Sequence, residues 1–486
     1  MLYKQFFAIA FCMLPVLLAA QYDFTKAREN IIKQVDSNRI PSISVAVVRK
    51  NQIIWEESFG YADREAKRKA TVHTPYYIAS VTKLMTATCI LQLLNEKKIV
   101  LDAPANNYLQ AKLESTRWDA ADITIRRLLQ HTSGLTSFNL VYANGSSMEP
   151  GRVSLINRYA LPFWKPGTRF DYSNLGYTVL AKLIEDVSGK SFGDYLQENI
   201  FKRAGMQDSY LPIDASHAEE AKRYTGDPAR TLAPFSITAS TGASGVFSSV
   251  HDLALLAMQF LKTRIGLLPS ALIDTLKYST LETAPGQHGI AIGQQADYFG
   301  FAGWLSQGGT SEAQAWFQLI PSEEMAVIVL SNTGGGNCQS VILDVFSQNI
   351  PGFAEKLTAP KNKPAPAQST SPVAAQPAFP AGNYNGFIKT YKGNISLQAV
   401  LTDSATMDLS IENMPMVHIT APRWRNGRLY FETPADLGVS EAGAGPYKLK
   451  FELSLDNNRL TGAALTTAIN DPATPNLPFW VELVKK

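Results

Sequence analysis

Ser80 and Lys83 are the residues whose types and spacing most directly suggest chemistry. They stand three positions apart in the run SVTK, where a helix is predicted to begin. Residues three apart lie on one face of a helix, so the lysine amine can reach the serine hydroxyl. A lysine that loses its proton there can serve as general base, and the N–H groups of a helix start can bind an oxyanion. Ser80 is therefore a candidate nucleophile, although so short a match also arises by chance.

A second candidate is the tripeptide YSN from Tyr172 to Asn174, which follows the Pro166-Gly167 turn and opens another predicted helix. A phenol can shuttle a proton when a neighbouring cation favours its ionised form, and an amide can orient a substrate. The similar run from Tyr142 to Asn144 lacks a following amphipathic helix. We therefore rank it below Tyr172 and Asn174.

A third candidate is the run WLSQGGT, which ends in Gln307, Gly308, Gly309 and Thr310 just before a predicted strand at Ala313. Glycines let a substrate approach the backbone of a strand closely. The alternative is that this run is only a hairpin turn.

The elements that must position these residues are strands at both ends of a long segment and helices between them. The β-rich runs Ser42–Val48 and Gln52–Phe59 predict a hairpin, and Ala313–Ile320 with Met325–Leu330 predict a second antiparallel pair. Apolar residues recur at helical spacing between the two pairs, over Thr82–Glu96, Thr124–Gln130, Leu175–Val187 and Val250–Leu261. We predict an α/β (α+β) fold with an antiparallel sheet flanked by helices.

Prolines spread among Ala, Ser, Thr and Gln predict an extended linker over residues 356–380. The linker separates residues 21–355, the segment with the candidate site, from residues 381–486. In the latter, short strand-like runs alternate with turn signals such as Asn385-Gly386 and Asn426-Gly427. We predict an all-β barrel there, and we expect the first segment to fold without it.

Residues 1–20 have the pattern of a secretory signal peptide. Lys4 precedes the apolar run from Phe6 to Leu18, and small residues follow before Gln21. We predict cleavage and a secreted or periplasmic mature protein, with a retained N-terminal anchor as the alternative. No later run is apolar for long enough to predict a transmembrane helix.

Composition narrows the function classes. The chain of 486 residues has 45 Lys and Arg against 42 Asp and Glu, a balance that argues against a nucleic-acid partner. The three cysteines and six histidines form no HExxH or CxxC motif, so no metal or cofactor is predicted. Cys89 and Cys338 could form one bridge, but the apolar run around Cys89 favours a buried free thiol.

Together these runs resemble the serine β-lactamase and penicillin-binding-protein superfamily, which carries S-x-x-K, S-D-N and K-T-G elements. Their order looks most like the class C branch, with its D-peptidases, D-aminopeptidases and esterases. Leu128–Leu135 reads LLQHTSGL, which is similar to the LLxHTSGL signature of that branch. The resemblance extends from Asp23 to Asn332, and the tail from Ala381 resembles the lipocalin-like β-domains appended to some members.

The resemblance implies a serine hydrolase that forms an acyl-enzyme on Ser80 and hydrolyses an ester or amide in a small molecule or peptide. Lys83 would be the activating base, and Tyr172 would pass the proton to the leaving group and activate the deacylating water. Asn174 would hold the substrate amide, and the N–H groups of Ser80 and Thr310 would form the oxyanion hole. Whether Lys83 or Tyr172 is the primary base stays open.

Gln307 departs from the family pattern. Members usually have Lys or His there, whose charge holds a substrate carboxylate, and a neutral amide cannot replace a charge-assisted bond. Strong activity on carboxylate-bearing β-lactams or D-Ala termini is therefore less expected, and the Tyr172 phenolate should form less easily. The alternative function is a slow or inert receptor that binds peptidoglycan fragments or a partner.

Two other motifs have structural interpretations. Gly189–Gly193 matches the G-x-S-x-G elbow of α/β-hydrolases, but a helix precedes it where a strand is required. We expect Gly189 to end that helix and Ser191 to cap the next one. His131, on a loop after a short helix, is expected to be a structural hydrogen-bonding residue.

Overall fold

The computed structural model describes residues 22–37, 40–138, 140–143, 151–212, 217–261, 266–276, 289–359, 379–402, 406–439, 447–468 and 476–486. The predicted signal peptide, most of the predicted linker and Asn144 lie outside these ranges. None of the helices within them combines the length and apolar character that crossing a bilayer requires.

Eleven strands are described in the first part of the chain, before the predicted linker. They are β1 Ser42–Arg49, β2 Gln52–Asp63, β3 Arg68–Lys69, β4 Tyr76–Tyr77, β5 Val141–Ala143, β6 Ser236–Thr238, β7 Phe247–Ser248, β8 Gly293–Gln295, β9 Gly303–Gly309, β10 Gln314–Ile320 and β11 Met325–Ser331. Seven of them form the main sheet in the order β3-β2-β1-β11-β10-β9-β8, with antiparallel pairing throughout. The predicted sheet built from both ends of the segment is confirmed.

The α-helices described in this part cover both faces of that sheet. They are α1 Thr25–Asp36, α2 Thr82–Asn95, α3 Ile125–Leu129, α4 Arg152–Tyr159, α5 Asn174–Ser188, α6 Phe192–Leu196, α7 Lys202–Ala204, α8 Val250–Phe260, α9 Ser270–Thr275, α10 Cys338–Asn349 and α11 Phe353–Thr358. Val45 and Val47 of β1 pack in the cluster that contains α1 and α10, and Ala46 and Val48 pack in the one that contains α2, α5 and α8. A strand buried on both faces reads as a continuous apolar run, as β1 does.

The end of the first part differs slightly from the prediction. Helix α11 continues to Thr358, past the predicted boundary at residue 355. The WLSQGGT run is also more than a turn, because Gly303–Gly309 pairs with β10 as a full strand. Its Gly, Ser and Gln residues have low strand propensity, and the pairing with buried β10 overrides it.

Nine strands are described in the second part. They are β12 Gly382–Thr390, β13 Gly393–Leu401, β14 Met407–Ile411, β15 Val417–Ile419, β16 Arg423–Arg425, β17 Arg428–Ala435, β18 Tyr447–Asp456, β19 Arg459–Ala468 and β20 Pro478–Lys485. They form one antiparallel sheet in the order β15-β14-β13-β12-β20-β19-β18-β17-β16. The predicted all-β barrel is thus a half-barrel, because its edge strands β15 and β16 are not neighbours in the ladder.

One predicted turn in the half-barrel is wrong. Asn385 and Gly386 lie inside β12, where a Cβ on Gly386 would stand 1.7 Å from the Glu482 carbonyl oxygen of β20. The glycine therefore allows a close approach of two strands. The predicted turn at Asn426-Gly427 is confirmed, with φ of 51° and 72° between β16 and β17.

The half-barrel packs on the first part through an aromatic cluster. Leu161, Phe163 and Trp164 are buried against Trp480 of β20, and Trp118 meets Trp480 edge-on at 5.7 Å between ring centroids. Removing the half-barrel would expose these side chains to water. Leu161, Phe163 and Trp164 precede Tyr172 by about ten residues in the chain, so the half-barrel packs on the segment that runs to the candidate site.

Candidate active site

Ser80 sits on a single 3₁₀ turn, Ala79–Val81, that joins the short strand β4 to helix α2. Strand β4 pairs with β7, and Ile78 N–H donates to the Val246 carbonyl, so the approach to the turn is fixed. Ala79 has φ of 44°, in the left-handed region that a residue with a Cβ rarely adopts. Such strained backbone is common where a side chain must be presented for chemistry.

Lys83 is 3% exposed, and its amine is surrounded by oxygen atoms. Its Nζ lies 3.1 Å from Ser80 Oγ and donates to Asn174 Oδ1 at 2.8 Å and to the Ala243 carbonyl at 3.0 Å. Burial lowers the pKa of Lys83 well below its ordinary value. A neutral amine keeps two N–H donors for Asn174 and Ala243 and turns its lone pair to the Ser80 hydroxyl.

Tyr172 approaches Ser80 from the other side. Its hydroxyl donates to Ser80 Oγ at 2.8 Å, and Lys83 Nζ lies 4.6 Å from the centroid of its ring. Burial raises the pKa of Tyr172 to about 12, opposed by the hydrogen bond with Ser80. The phenol is therefore protonated at neutral pH and acts as a donor.

The start of helix α5 holds Tyr172 and Asn174 in place. Ser173 caps the helix, because its Oγ accepts from Gly176 N–H at 2.9 Å, and the same Oγ donates to the Thr136 carbonyl at 2.9 Å. Ser173 N–H donates to His131 Nδ1 at 3.0 Å, and the His131 ring packs 4.5 Å from that of Tyr172. Because Nδ1 accepts, the neutral imidazole carries its proton on Nε2. The structural role expected for His131 is confirmed.

The expectation that Thr310 supplies the second oxyanion donor is wrong. Its N–H donates to the Ala313 carbonyl at 2.9 Å and closes the turn between β9 and β10. N–H groups alternate between the two edges of an antiparallel strand, so Gly309 N–H points away from β10. On that side β8 pairs with residues 303–305, so among the described residues no strand pairs with Gly309 at this edge.

Gly308 is the point where β9 meets the Ser80 turn. A Cβ there would lie 2.2 Å from the Ile78 carbonyl oxygen and 2.9 Å from Ser80 N, so no other residue fits without moving backbone. At Gly309 the nearest described atom beyond the adjacent residues, the Ala313 carbonyl oxygen, lies 4.0 Å from such a Cβ. Of the two glycines, Gly308 provides the close approach and Gly309 is the candidate second donor.

Gln307 does not occupy the position predicted for it. Side chains alternate along a strand, so Ser306 shares the face of Gly308, which meets the Ser80 turn, and Gln307 points to the opposite face. Ser306 is 5% exposed and Gln307 is exposed. The sequence analysis missed Ser306 because it placed the first residue of the third element at Gln307, one position too far along the chain. Gly308, where no Cβ fits, must face the Ser80 turn, and this fixes Ser306 as the other residue on that face. Because Ser306 is uncharged, as Gln307 is, this part of β9 still offers no cation to a substrate carboxylate.

The remaining sequence candidates have structural roles. Ser191 Oγ accepts from Asp194 N–H at 3.1 Å as a helix cap, and Gly189 ends α5 with φ of 72°. Cys89 and Cys338 are both buried and free, so the possible bridge does not form. Within the described ranges, no three His, Cys, Asp or Glu side chains are grouped to hold a metal ion.

Known proteins resemble this chain at the level of both sequence and fold. A family model described as Beta-lactamase matches residues 27–342. The chain is 28% identical over 326 residues to Unguisins hydrolase ungD' of Aspergillus campestris, covering 62% of this chain and 60% of that protein. It is 29% identical over 237 residues to a D-aminopeptidase of Brucella anthropi, covering 47% of this chain and 44% of that protein. The chain thus spans about half the length of these curated relatives.

Among solved structures, the octameric penicillin-binding protein homologue from Pyrococcus abyssi superposes with a TM-score of 0.58 at 21% identity. The match covers 95% of this chain and all of the other. It therefore includes the half-barrel as well as the first part, and it concerns the fold.

Proposed function

The chain belongs to the beta-lactamase family, and we propose that it is a serine hydrolase that forms an acyl-enzyme on Ser80. The observation that carries the proposal is the convergence of two proton-transfer groups on one hydroxyl. Ser80 Oγ lies 3.1 Å from Lys83 Nζ and 2.8 Å from the Tyr172 hydroxyl. A nucleophile within hydrogen-bond reach of a base that is itself oriented by other groups is the arrangement that covalent catalysis needs.

Acylation begins with Lys83 as the primary base. Burial lowers the pKa of Lys83 and raises that of Tyr172, so of the two groups the amine gives up its own proton more readily and is the one we assign as base. Lys83 takes the Ser80 proton as Oγ attacks the substrate carbonyl carbon. The oxyanion that forms accepts hydrogen bonds from the N–H groups of Ser80 and Gly309.

Collapse of the tetrahedral intermediate needs an acid, and Tyr172 is placed to be that acid. Its hydroxyl gives a proton to the leaving alcohol or amine, and the Lys83 ammonium returns one to Tyr172, so the proton from Ser80 ends on the leaving group. A water then attacks the acyl carbon, and its proton passes through the Tyr172 hydroxyl to the Lys83 amine. Cleavage of the ester bond to Ser80 releases the acid, and the Lys83 ammonium returns the proton to Ser80 Oγ.

The substrate we propose is a small molecule or peptide with an ester or amide bond and no carboxylate that must be held beside β9. Ser306 and Gln307 are both neutral, so the element lacks a cation for such a group. By their names, the relative from Brucella anthropi is a D-aminopeptidase and the relative from Aspergillus campestris is a hydrolase of unguisins, and the former supports a peptide substrate. Asn174, held by Lys83, is the side chain we assign to the substrate amide.

Export is part of the proposal. The run from Lys4 to Ala20 has the charge and apolar pattern of a signal peptide, and we propose that the enzyme acts outside the cytoplasm as a secreted or periplasmic protein.

The test uses protein that begins at Gln21, with p-nitrophenyl esters and D-amino-acid p-nitroanilides as substrates. Ser80→Ala should lower turnover by about 10³-fold or more on any substrate that the unmodified protein cleaves. Ser191→Ala, which changes the serine of the G-x-S-x-G run, is the matched control and should keep full turnover. Turnover of Ser80→Ala within about tenfold of the unmodified protein would overturn the assignment.

A further inference from the structure

Glu452, on β18 of the half-barrel, reaches across to the segment that precedes Tyr172. Its Oε1 accepts from Arg169 Nη1 at 2.6 Å, from Arg428 Nη1 at 3.1 Å and from the Tyr430 hydroxyl at 3.3 Å. The Arg169 and Glu452 side chains are 20% and 27% exposed, so solvent screens this pair less than it screens a surface pair. One carboxylate therefore joins the two parts of the molecule.

Arg169 passes this contact on to Asp171, the residue before Tyr172. Its Nη2 donates to Asp171 Oδ2 at 3.3 Å, and Trp164 Nε1 donates to the same oxygen at 2.8 Å. Asp171 N–H donates to the His131 carbonyl at 2.8 Å. The backbone that carries Tyr172 is thus fixed by groups that lead back to Glu452.

The ring of Trp164 is held by the same guanidinium groups. The Arg169 guanidinium carbon lies 4.1 Å from the Trp164 ring centroid, and that of Arg428, on β17, lies 5.5 Å away. Trp164 is also 6% exposed, in the aromatic cluster with Trp480. Both arginines that contact the ring bind Glu452, so this carboxylate organises the polar side of the contact.

We propose that Glu452 is a positioning residue for Tyr172, so that the half-barrel completes the active site of the first part. The inference rests on the proposed function, since it concerns the proton transfer assigned to Tyr172. Glu452 itself touches neither Ser80 nor the proposed substrate site. It acts through Arg169 and Asp171 on the distance between the Tyr172 hydroxyl and Ser80.

The alternative is that Glu452 only attaches the half-barrel to the first part. Asp456, on the same strand, allows the two to be told apart. It forms an ion pair with Arg117 of the first part, and Arg117 packs on Trp118 in a segment far along the chain from Tyr172. Asp456→Asn therefore weakens the same junction while it leaves in place Arg169 and Trp164, the side chains that donate hydrogen bonds to Asp171.

The experiment measures kcat and KM of Glu452→Ala, Glu452→Gln and Asp456→Asn on one p-nitrophenyl ester. The maximal rate is divided by the concentration of active sites, which is measured by labelling each variant to completion with a fluorophosphonate. Unfolded protein is not labelled, so it does not lower the resulting kcat per site. A displacement of a proton-transfer group by a fraction of an ångström to 1 Å lowers kcat by about tenfold to a hundredfold. We expect such a loss in Glu452→Ala, a smaller one in Glu452→Gln, and KM unchanged.

Asp456→Asn should keep the kcat per labelled site of the unmodified protein. Equal kcat per site in Glu452→Ala and Asp456→Asn, whether both are lowered or both unchanged, would overturn the proposal. If Glu452→Ala does not fold, Glu452→Gln, which keeps an acceptor oxygen, decides by the same comparison. An active Ser80→Ala variant would instead reject the proposed function, so the two failures are distinguishable.

Discussion

Ser80 has two neighbours that could act as its base, and their surroundings push the two pKa values apart. Lys83 is 3% exposed, so burial favours its neutral amine; Tyr172 as a residue is 37% exposed, and desolvation of its hydroxyl favours the neutral phenol. Two titratable groups with pKa values shifted in opposite directions take the roles of base and acid. The sequence left this choice open, because it depends on burial and not on residue type.

The first prediction concerns the pH dependence that follows. The base must be neutral, so kcat/KM should rise as pH passes the pKa of Lys83, well below its ordinary value. The acid must be protonated, and the pKa of Tyr172 near 12 keeps it so over the range in which the protein is stable. We therefore expect kcat/KM to rise with pH on the acidic side and then to stay constant, with no decrease at alkaline pH.

A pH profile of Tyr172→Phe provides the control. This variant should have a lower plateau with the acidic limb at the same pH, because Lys83 is still present. An acidic limb that disappears or moves by more than about one pH unit would identify Tyr172 as the base instead.

The second prediction concerns the face of β9 that meets Ser80. Ser306→Lys should raise the rate at which a fluorescent penicillin acylates the protein by about tenfold relative to a neutral ester, because a lysine on that face adds a charge-assisted bond to the carboxylate. Gln307→Lys adds the same charge on the exposed face and should leave that ratio unchanged. A gain confined to Gln307→Lys would show that the sequence-based register was correct.

At the scale of elements, the site depends on how closely β9 approaches the turn of Ser80. The approach is possible because Gly308 has no side chain, and the hairpin with β10 leaves the Gly309 edge open beside Ser80. Strand β9 thus contributes by its backbone, whereas α2 and α5 contribute Lys83 and Asn174 by their side chains.

The third prediction tests that approach. Gly308→Ala places a methyl group 2.2 Å from the Ile78 carbonyl, so β9 or the Ser80 turn must move, and kcat/KM should fall by about a hundredfold. Gly309→Ala keeps its N–H and meets nothing within contact distance, so it should stay within about threefold of the unmodified protein on the same ester. A larger loss in Gly309→Ala than in Gly308→Ala would contradict the geometry.

Sequence patterns predicted the long elements well and the short ones poorly. Helices α2 and α5 and the hairpin of β1 and β2 follow from apolar spacing over many residues. Strands β15 and β16 have three residues each, too few for any period to show, and the Asn-Gly pair inside β12 has the composition of a turn. Only pairing with distant strands makes these segments β-structure, and a single sequence does not display that pairing.

The same limit applied to the site. Ser80, Lys83, Tyr172 and Asn174 were found because each stands at the start of a helix, where spacing along the chain fixes proximity. Which residue of the third element faces Ser80 depends on strand register, and a shift of one residue exchanges the two faces. The sequence therefore predicted an element that the structure places beside Ser80, but the strand register puts Ser306 and Gly309 where Gln307 and Thr310 were expected.

At the scale of the whole molecule, the half-barrel is more than an appendage on a linker. Its β20 covers Leu161, Phe163 and Trp164, and its Glu452 binds Arg169 beside them. We expected residues 21–355 to fold without the half-barrel. That expectation left out the aromatic cluster that the two parts share. We now expect the two parts to stabilise each other.

The fourth prediction states the consequence for a chain that ends at Ala359. Exposing Leu161, Phe163 and Trp164 to water lowers the free energy of unfolding by about 1.5–3 kcal/mol for each side chain. The melting temperature of the shortened chain should therefore be roughly 10 °C below that of the full chain. Thermal unfolding followed by circular dichroism, with the full chain from Gln21 as the control, measures the difference. Equal melting temperatures would mean that the junction contributes nothing to stability.

Covalent labelling of the active serine shows whether Ser80 is the nucleophile. Protein from Gln21 is treated with a fluorophosphonate, digested and mapped by mass spectrometry, with Lys83→Ala as the comparison. We expect one label per chain, on Ser80, and labelling slowed by about a hundredfold or more in Lys83→Ala. A label on Ser191 or another serine, or no label on a folded protein, would contradict it.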